Sequence, residues 1–188
     1  MRLWLATGNP HKVTEVQEIL GNAYEVTAQD TGVDETGATF EANALLKAHA
    51  LVAATGELAV ADDSGIEIDH LGGAPGIHSA RWTEEGDWIP RVLRELDGMP
   101  ADQRGCRYVC AAVAVWPDGR VVVVRGEVEG VVVDAPRGEG GFGYDPIVAP
   151  VEGDGRTFAE MSVAEKHAIS HRARAFTRLA RSLSSPTA

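Results

Sequence analysis

The sequence predicts an α/β fold with one mixed sheet, on three observations. Strand-like and helix-like runs alternate early in the chain. Two long apolar runs joined by a Pro-Asp-Gly turn follow in the middle. The balance of 44% hydrophobic to 24% charged residues is that of a globular chain. A length of 188 residues suffices for one domain with a sizeable core, or for two lobes sharing one sheet. No internal repeat, coiled-coil heptad or low-complexity linker interrupts it.

The elements follow in order. Residues 2–7 read as a buried strand ending at Gly8. Val13, Val16, Ile19 and Leu20 then recur at helical spacing, and Gly21 stops that helix. Residues 24–29 alternate like a strand, and a polar loop covers 30–38. A long helix is expected over 39–55, with Gly56 beyond its end. Residues 58–61 form a short apolar strand leading into Asp62-Asp63-Ser64-Gly65, a good turn sequence, and 66–68 form another strand. The Gly- and Pro-rich stretch 71–79 is a loop. A helix is expected over 86–96, with Pro90 near its first turn. Residues 107–116 and 120–133 are strands, 137–143 a Gly-rich loop, and 162–183 a helical region. Ser162 and Glu165 have capping-box spacing, and Ser170 is a candidate second N-cap. One domain of two lobes over 1–183, with a disordered tail over 184–188, completes the expectation.

Charge narrows the function. Seventeen Lys and Arg against 28 Asp and Glu give a net charge of −11, a poor surface for wrapping a nucleic-acid backbone. A small anion remains a suitable ligand wherever a few cations converge. No apolar run approaches the ~20 residues of a membrane helix, and the short apolar N-terminus is no signal peptide. Cys106 and Cys110 lack the second pair a zinc site needs and read as buried hydrophobes in a reducing compartment. A cytoplasmic protein with no nucleic-acid or membrane partner is expected.

Several constellations have the residue types for phosphate chemistry. Thr7-Gly8-Asn9-Pro10-His11-Lys12 sits where a strand hands over to a helix, whose N-terminus attracts anions while Lys12 adds a full charge. An ordinary strand-turn-helix with a solvated Lys would look the same. Asp62 and Asp63 close a strand end where α/β ligands bind, and successive strand residues face opposite ways, so their roles can differ. A carboxylate there suits Mg²⁺, which prefers hard oxygen ligands; turn chemistry is the plainer alternative. Glu41 lies in the first turn of the second helix, where an acid also simply suits the helix dipole. Lys47 follows on that helix. The loop Gly138–Asp145 holds four glycines and the aromatics Phe142 and Tyr144, which either stack on a base or plug the core. Lys166 and Arg172 would point ~240° apart on an unbroken helix; a break at Ser170 would let Lys166, His171 and Arg172 all turn inward, and a basic amphipathic terminal helix is the plainer alternative.

Together the segments LATGNPHK, TFEANALLKA, ADDSGIEIDHLGGAPGIHSAR, GGFGYDPI and EKHAISHR resemble the inosine/xanthosine triphosphate pyrophosphatase (Ham1-like) family, hydrolases of noncanonical purine nucleoside triphosphates. They occur in the family's order across residues 5–172. The resemblance implies an elongated mixed sheet with flanking helices, two lobes around a central substrate cleft, and a homodimer. It implies conversion of ITP, dITP or XTP and water to the monophosphate and pyrophosphate, with Mg²⁺ as cofactor. By motif match, Thr7, Gly8, Asn9, Pro10, His11 and Lys12 hold the phosphates, with Lys47 near them. Asp63 binds metal and acts as general base, Glu41 is the second metal ligand, and Ser64 touches substrate. Phe142, Gly143, Tyr144 and Asp145 hold the nucleoside, and Lys166, His171 and Arg172 complete the contacts. His78 stands where the family pattern has Tyr, and the following segment lacks its Asn-rich stretch. A hydrolase of modified pyrimidine or methylated nucleotides and a non-catalytic nucleotide sensor are the competing readings. The paired acids disfavour the sensor, since binding alone needs no water-activating carboxylate.

Overall fold

The computed structural model describes residues 2–83 and 88–184. In chain order it contains β1 (Arg2–Ala6), α1 (Pro10–Leu20), β2 (Glu25–Gln29), α2 (Phe40–Thr55), β3 (Ala59–Ile68), α3 (Trp88–Glu95), β4 (Gly105–Val115), β5 (Val121–Val132), β6 (Val148–Pro150), α4 (Val163–Ile169) and α5 (His171–Ser184). The strands form one six-stranded sheet ordered β2-β1-β3-β4-β5-β6. It is mixed: β1 runs parallel to β2 and β3, and β5 antiparallel to β6. The α/β class with a mixed sheet and flanking helices is therefore the fold adopted.

Local chemistry explains the boundaries. Asn9 caps α1 through its side chain, with Pro10 as the first helical residue. Thr39 caps α2 in the same way, and left-handed Gly56 ends it. Gly119, also left-handed, turns the chain between β4 and β5, where Trp116 N–H donates to Arg120 O.

Two expectations are corrected. Separate strands over 58–61 and 66–68 are expected, with turn chemistry between them as one of two readings, but β3 runs unbroken through Asp62, Asp63, Ser64 and Gly65. Both carboxylates find cationic or amide partners, so the strand tolerates them. Gly65 serves close approach rather than turning: a Cβ there would run into the Gly76 carbonyl and the Ser79 hydroxyl, which accepts the Ile66 N–H at 2.9 Å. Ser184, expected in the tail, instead ends α5, 3.3 Å from the Tyr24 hydroxyl. The start of the helix predicted over 86–96 and the remainder of the tail, 185–188, lie outside the described residues.

The chain divides into two compact units. The first is built from the segment ending at Asp63, from Cys110–Gly126 and from the segment beginning at Arg172. Strand alternation sorts its core. Leu3, Leu5, Val60, Cys110, Ala112 and Ala114 share one buried cluster with Val16 of α1 and Phe176 and Leu179 of α5. Ala6, Ala59, Ala61, Val113 and Val115 form another with Ala44, Ala48 and Leu51 of α2. Full burial of such side chains contributes ~1.5–3 kcal/mol apiece for the larger ones. The same period of two carries Asp62 to the α1/α5 face and Asp63 to the α2 face. The second unit, Ser64–Val109 with Glu127–His171, has its own core around Ile66, Ile68, Leu96, Tyr108, Val128, Tyr144, Ile147 and Phe158.

Candidate active site

In the first unit, the turn from β1 to α1 is held by its own side chains. Thr7 Oγ1 accepts the Asn9 N–H at 3.1 Å, and Asn9 Oδ1 accepts the His11 N–H at 2.9 Å. Gly8 is required by proximity: a Cβ would lie 2.6 Å from Oδ2 of Asp30, whose Oδ1 accepts the Gly32 N–H. The turn delivers Lys12, whose Nζ lies 2.9 Å from Oδ2 of Asp62. Asp62 is fully buried, which alone would push its carboxyl up. Lys12, Arg172 and Lys47 overcome that and hold it well below the usual carboxylate range.

Asp63 sits in a different setting. Its Oδ2 accepts a hydrogen bond from Asn43 Nδ2 at 3.0 Å, and its Oδ1 lies 3.9 Å from Lys47 Nζ. Burial raises its proton affinity above the ordinary; Lys47 opposes this and the charge of Glu35 reinforces it. Lys47 donates to Glu35 Oε1 at 2.7 Å. Burial would lower the Lys47 pKa, but Asp62, Asp63 and Glu35 hold the ammonium above its usual value. Neighbouring acids thus shift in opposite directions because their surroundings differ: cations dominate at Asp62 and burial at Asp63.

Glu41 is not with them: its carboxylate takes Arg125 Nη1 at 3.0 Å. The acid that shares Lys47 with Asp63 is Glu35, from the loop before α2. Among the described residues, no group of three or more His, Cys, Asp and Glu side chains surrounds a single metal position. Asn43 and Glu35 are the partners that motif reading passed over. Asn43 could have been found, because it lies one helical turn before Lys47 and so on the same face. Glu35 lies in a loop without periodicity and left no such signal.

In the second unit the Gly-rich loop is organised around buried Asp145. Its Oδ2 accepts the Phe142 N–H at 2.8 Å and Lys166 Nζ at 2.7 Å, and its Oδ1 accepts the Tyr108 hydroxyl at 3.3 Å. Gly141 and Gly143 take positive φ, and any Cβ at Gly141 would strike Asp145. The two aromatics part company. Tyr144 is buried beside Trp88 and donates its hydroxyl to Ser79 O at 2.9 Å. Phe142 is half-buried, with Lys166 Nζ 4.9 Å above its ring. Tyr144→Ala is therefore expected to lower the melting temperature markedly, in line with ~3–5 kcal/mol for large aromatic truncation. Phe142→Ala is expected to leave melting nearly unchanged and to cost an aromatic ligand stacked on its ring ~1–3 kcal/mol of binding. Thermal melts and steady-state kinetics on both variants check this pair, and the reverse pattern would return Phe142 to the core.

The C-terminal helical region does break at Ser170, which takes extended dihedrals between α4 and α5. Lys166, His171 and Arg172 are all buried as a result. Lys166 joins Asp145, and His171 stacks on Tyr108 with centroids 4.7 Å apart. Arg172 belongs to the first unit, where its guanidinium contacts Glu15 and lies 3.4 Å from Asp62 Oδ2. Ser64, the residue after Asp63 in β3, is half-buried.

An α/β sheet bearing a capped helix start, two half-buried lysines and two acids of opposite proton affinity defines an α/β protein equipped for polyanionic ligands. The chain belongs to the Ham1 family, whose model matches residues 3–182. It is 50% identical over 183 residues to the dITP/XTP pyrophosphatase of Symbiobacterium thermophilum, covering 94% of this chain and 92% of the relative. It is 44% identical to that of Bacillus subtilis, covering 95% of each. The Staphylococcus aureus Ham1 protein has a similar structure, with a TM-score of 0.85 at 35% identity over 97% of this chain and 98% of that one.

Proposed function

We propose that this protein hydrolyses noncanonical purine nucleoside triphosphates, ITP, dITP and XTP, to the monophosphate and pyrophosphate, as a Mg²⁺-dependent cytoplasmic homodimer that clears them from the nucleotide pool. The observation that carries the reading is Asp63: a buried carboxylate of raised proton affinity, fixed by Asn43 and flanked by Lys47. Relatives bearing the name dITP/XTP pyrophosphatase support the substrate class. No helix among the described residues is long and apolar enough to cross a membrane, and both cysteines are free and buried.

The chemistry follows from charge. A triphosphate needs several cations, and Lys12, Lys47 and the N-terminus of α1 supply them in an otherwise acidic protein. Asp63 takes a proton from water as its oxygen adds to the α-phosphorus. The bridging oxygen–phosphorus bond breaks, and pyrophosphate leaves with the bonding pair. Lys47 lies near the Asp63 carboxylate and stabilises charge beside it. In the second unit, Phe142 offers a stacking face and Lys166 a donor, with Asp145, Gly143, Tyr144 and His171 holding these two in place.

The acids suit magnesium through their hard oxygens. Glu35 already works against ionisation of Asp63, a repulsion that a divalent cation relieves. Asp63 and Glu35 would hold the ion; Glu41, the second ligand by motif match, has its carboxylate on Arg125 instead. When bound, Mg²⁺ supplies charge neutralisation for the departing pyrophosphate.

A pyrophosphate-release assay over a panel of triphosphates tests the reading. Activity is expected to vanish in EDTA and return with Mg²⁺, with Ca²⁺ a poor substitute because its larger shell fits octahedral sites badly. Glu35→Gln is expected to raise the Mg²⁺ concentration for half-maximal rate by about tenfold or more, and Glu41→Gln to shift it little. The opposite ranking would return the ligand role to Glu41. Full activity in metal-free protein would remove the metal altogether.

A further inference from the structure

We infer that Asp62 is a positioning residue for phosphate binding, which holds Lys12 at the turn between β1 and α1. The inference rests on the reading of Lys12 as a phosphate ligand. Three observations carry it. Asp62 and Asp63 are adjacent in β3 and so face opposite sides of the sheet, which leaves Asp62 with α1 and α5 rather than with the water-activating site. Its contacts converge on one oxygen: Oδ2 meets Lys12 Nζ at 2.9 Å, Arg172 Nη2 at 3.4 Å and the Cys110 thiol at 3.8 Å. Oδ1 is buried with no hydrogen-bond partner among the described residues.

The two cations on Oδ2 differ in how much they depend on it. Arg172 is almost fully buried and has Glu15 as a second carboxylate. Lys12 is more exposed, its side chain retaining 14% of its accessible surface. Its flexible four-carbon stem would otherwise sample many rotamers. Anchoring on a rigid strand residue removes that freedom before the triphosphate arrives, so the ordering cost is met in folding rather than in binding. The twin acids thus divide the labour, Asp62 acting on substrate affinity through Lys12 and Asp63 on the chemical step.

A double-mutant cycle on Lys12 and Asp62, read in KM and kcat with ITP, tests this. Lys12→Met is expected to raise KM by roughly ten- to a hundredfold, the scale of one charge-assisted contact. Asp62→Asn should raise KM by a similar factor with little change in kcat. The double variant should be no worse in KM than Lys12→Met, because Asp62 then has nothing to aim. Multiplying effects in the double variant would overturn the inference, as would a wild-type KM in folded Asp62→Asn. Lys12→Met with unchanged KM would refute the phosphate role of Lys12 itself, a distinguishable failure. Should Asp62→Asn not fold, comparison of the double variant, in which both charges are removed, with Lys12→Met carries the same test: equal KM supports the inference, and a further rise overturns it.

Discussion

Asp63→Asn is expected to lower turnover by ~10²–10⁴-fold, the range for losing a positioned acid–base group, while the protein folds as before. The geometry is why the two effects should separate. Asn is nearly the shape of Asp, and its carbonyl oxygen can still accept from Asn43 Nδ2, the 3.0 Å bond that fixes the wild-type side chain. Lys47 keeps Glu35 at 2.7 Å. What disappears is the charge and the ability to take a proton. The sign of the stability effect follows from the proton affinity. Burial raises the Asp63 pKa in the folded protein, so its ionised form is disfavoured there relative to the unfolded chain. Any stability tied to the protonated form is present at low pH and lost as pH rises through the folded pKa. At neutral pH the ionised carboxylate costs stability, so metal-free Asp63→Asn should melt no lower than wild type. The acid limb of the wild-type rate profile should correspondingly lie above the ordinary carboxylate range in limiting metal. Turnover above about a tenth of wild type, well short of the general acid–base range, would remove Asp63 from the chemistry.

Much of the fold was legible because local signals and tertiary packing agree. Asn9 with Pro10, Thr39 with Gly56, and Ser162 with Glu165 each mark a helix end by a mechanism that operates without long-range contacts. The break at Ser170 was only half legible: Ser170 is a candidate N-cap, but three cations around one helix read equally well as a solvated basic face, and the burial that decides between them is tertiary. The segment 62–65 lies where such local signals stop being decisive. Asp-Asp-Ser-Gly favours a turn in isolation, and only Lys12, Arg172, Asn43 and Lys47, all distant in sequence, make it acceptable inside a strand. Tertiary charge compensation overrides local turn preference here.

The site was legible in composition and less so in pairing. Motifs located the lysines, Asp63 and Phe142, but a motif does not state which acid faces which base. Glu41 and Glu35 are both acids near the start of α2; one is taken by Arg125 of β5 and the other by Lys47 of α2 itself. That choice depends on how the loop over 30–38 folds back on the helix, and a loop without periodicity carries no signal for it. Likewise Phe142 and Tyr144 are two residues apart and equally aromatic. The positive φ of Gly143 sits between them, and one ring enters the core of the second unit while the other does not.

ITP is expected to be preferred over ATP by at least ~10²-fold in kcat/KM, the penalty for leaving a buried polar group unpaired. Purine selectivity between these two rests on position six, where inosine presents an oxygen acceptor and adenine an amino donor. The residue types suited to tell them apart are those that only donate. Motif match gives the remaining contacts to Lys166, His171 and Arg172 together. Of the three, Lys166 is the one beside Phe142, its ammonium 4.9 Å from the ring centre and 2.7 Å from Asp145 Oδ2, and it is the donor taken here. His171 is engaged by the Tyr108 ring, and the Arg172 guanidinium by Glu15 and Asp62. A base stacked on Phe142 would find Lys166 as a donor that cannot become an acceptor. Adenine would bring its own donor toward that cation and gain no hydrogen bond from it. Lys166→Met removes the donor at similar length, so the ITP advantage should collapse toward parity chiefly through loss of ITP activity, with ATP hydrolysis little altered. Specificity constants for both nucleotides in wild type and Lys166→Met decide the matter. Near-equal values in wild type would sink the substrate assignment. A preserved ITP preference in the variant would instead return recognition to Arg172 or His171, and leave Lys166 as a brace for the loop.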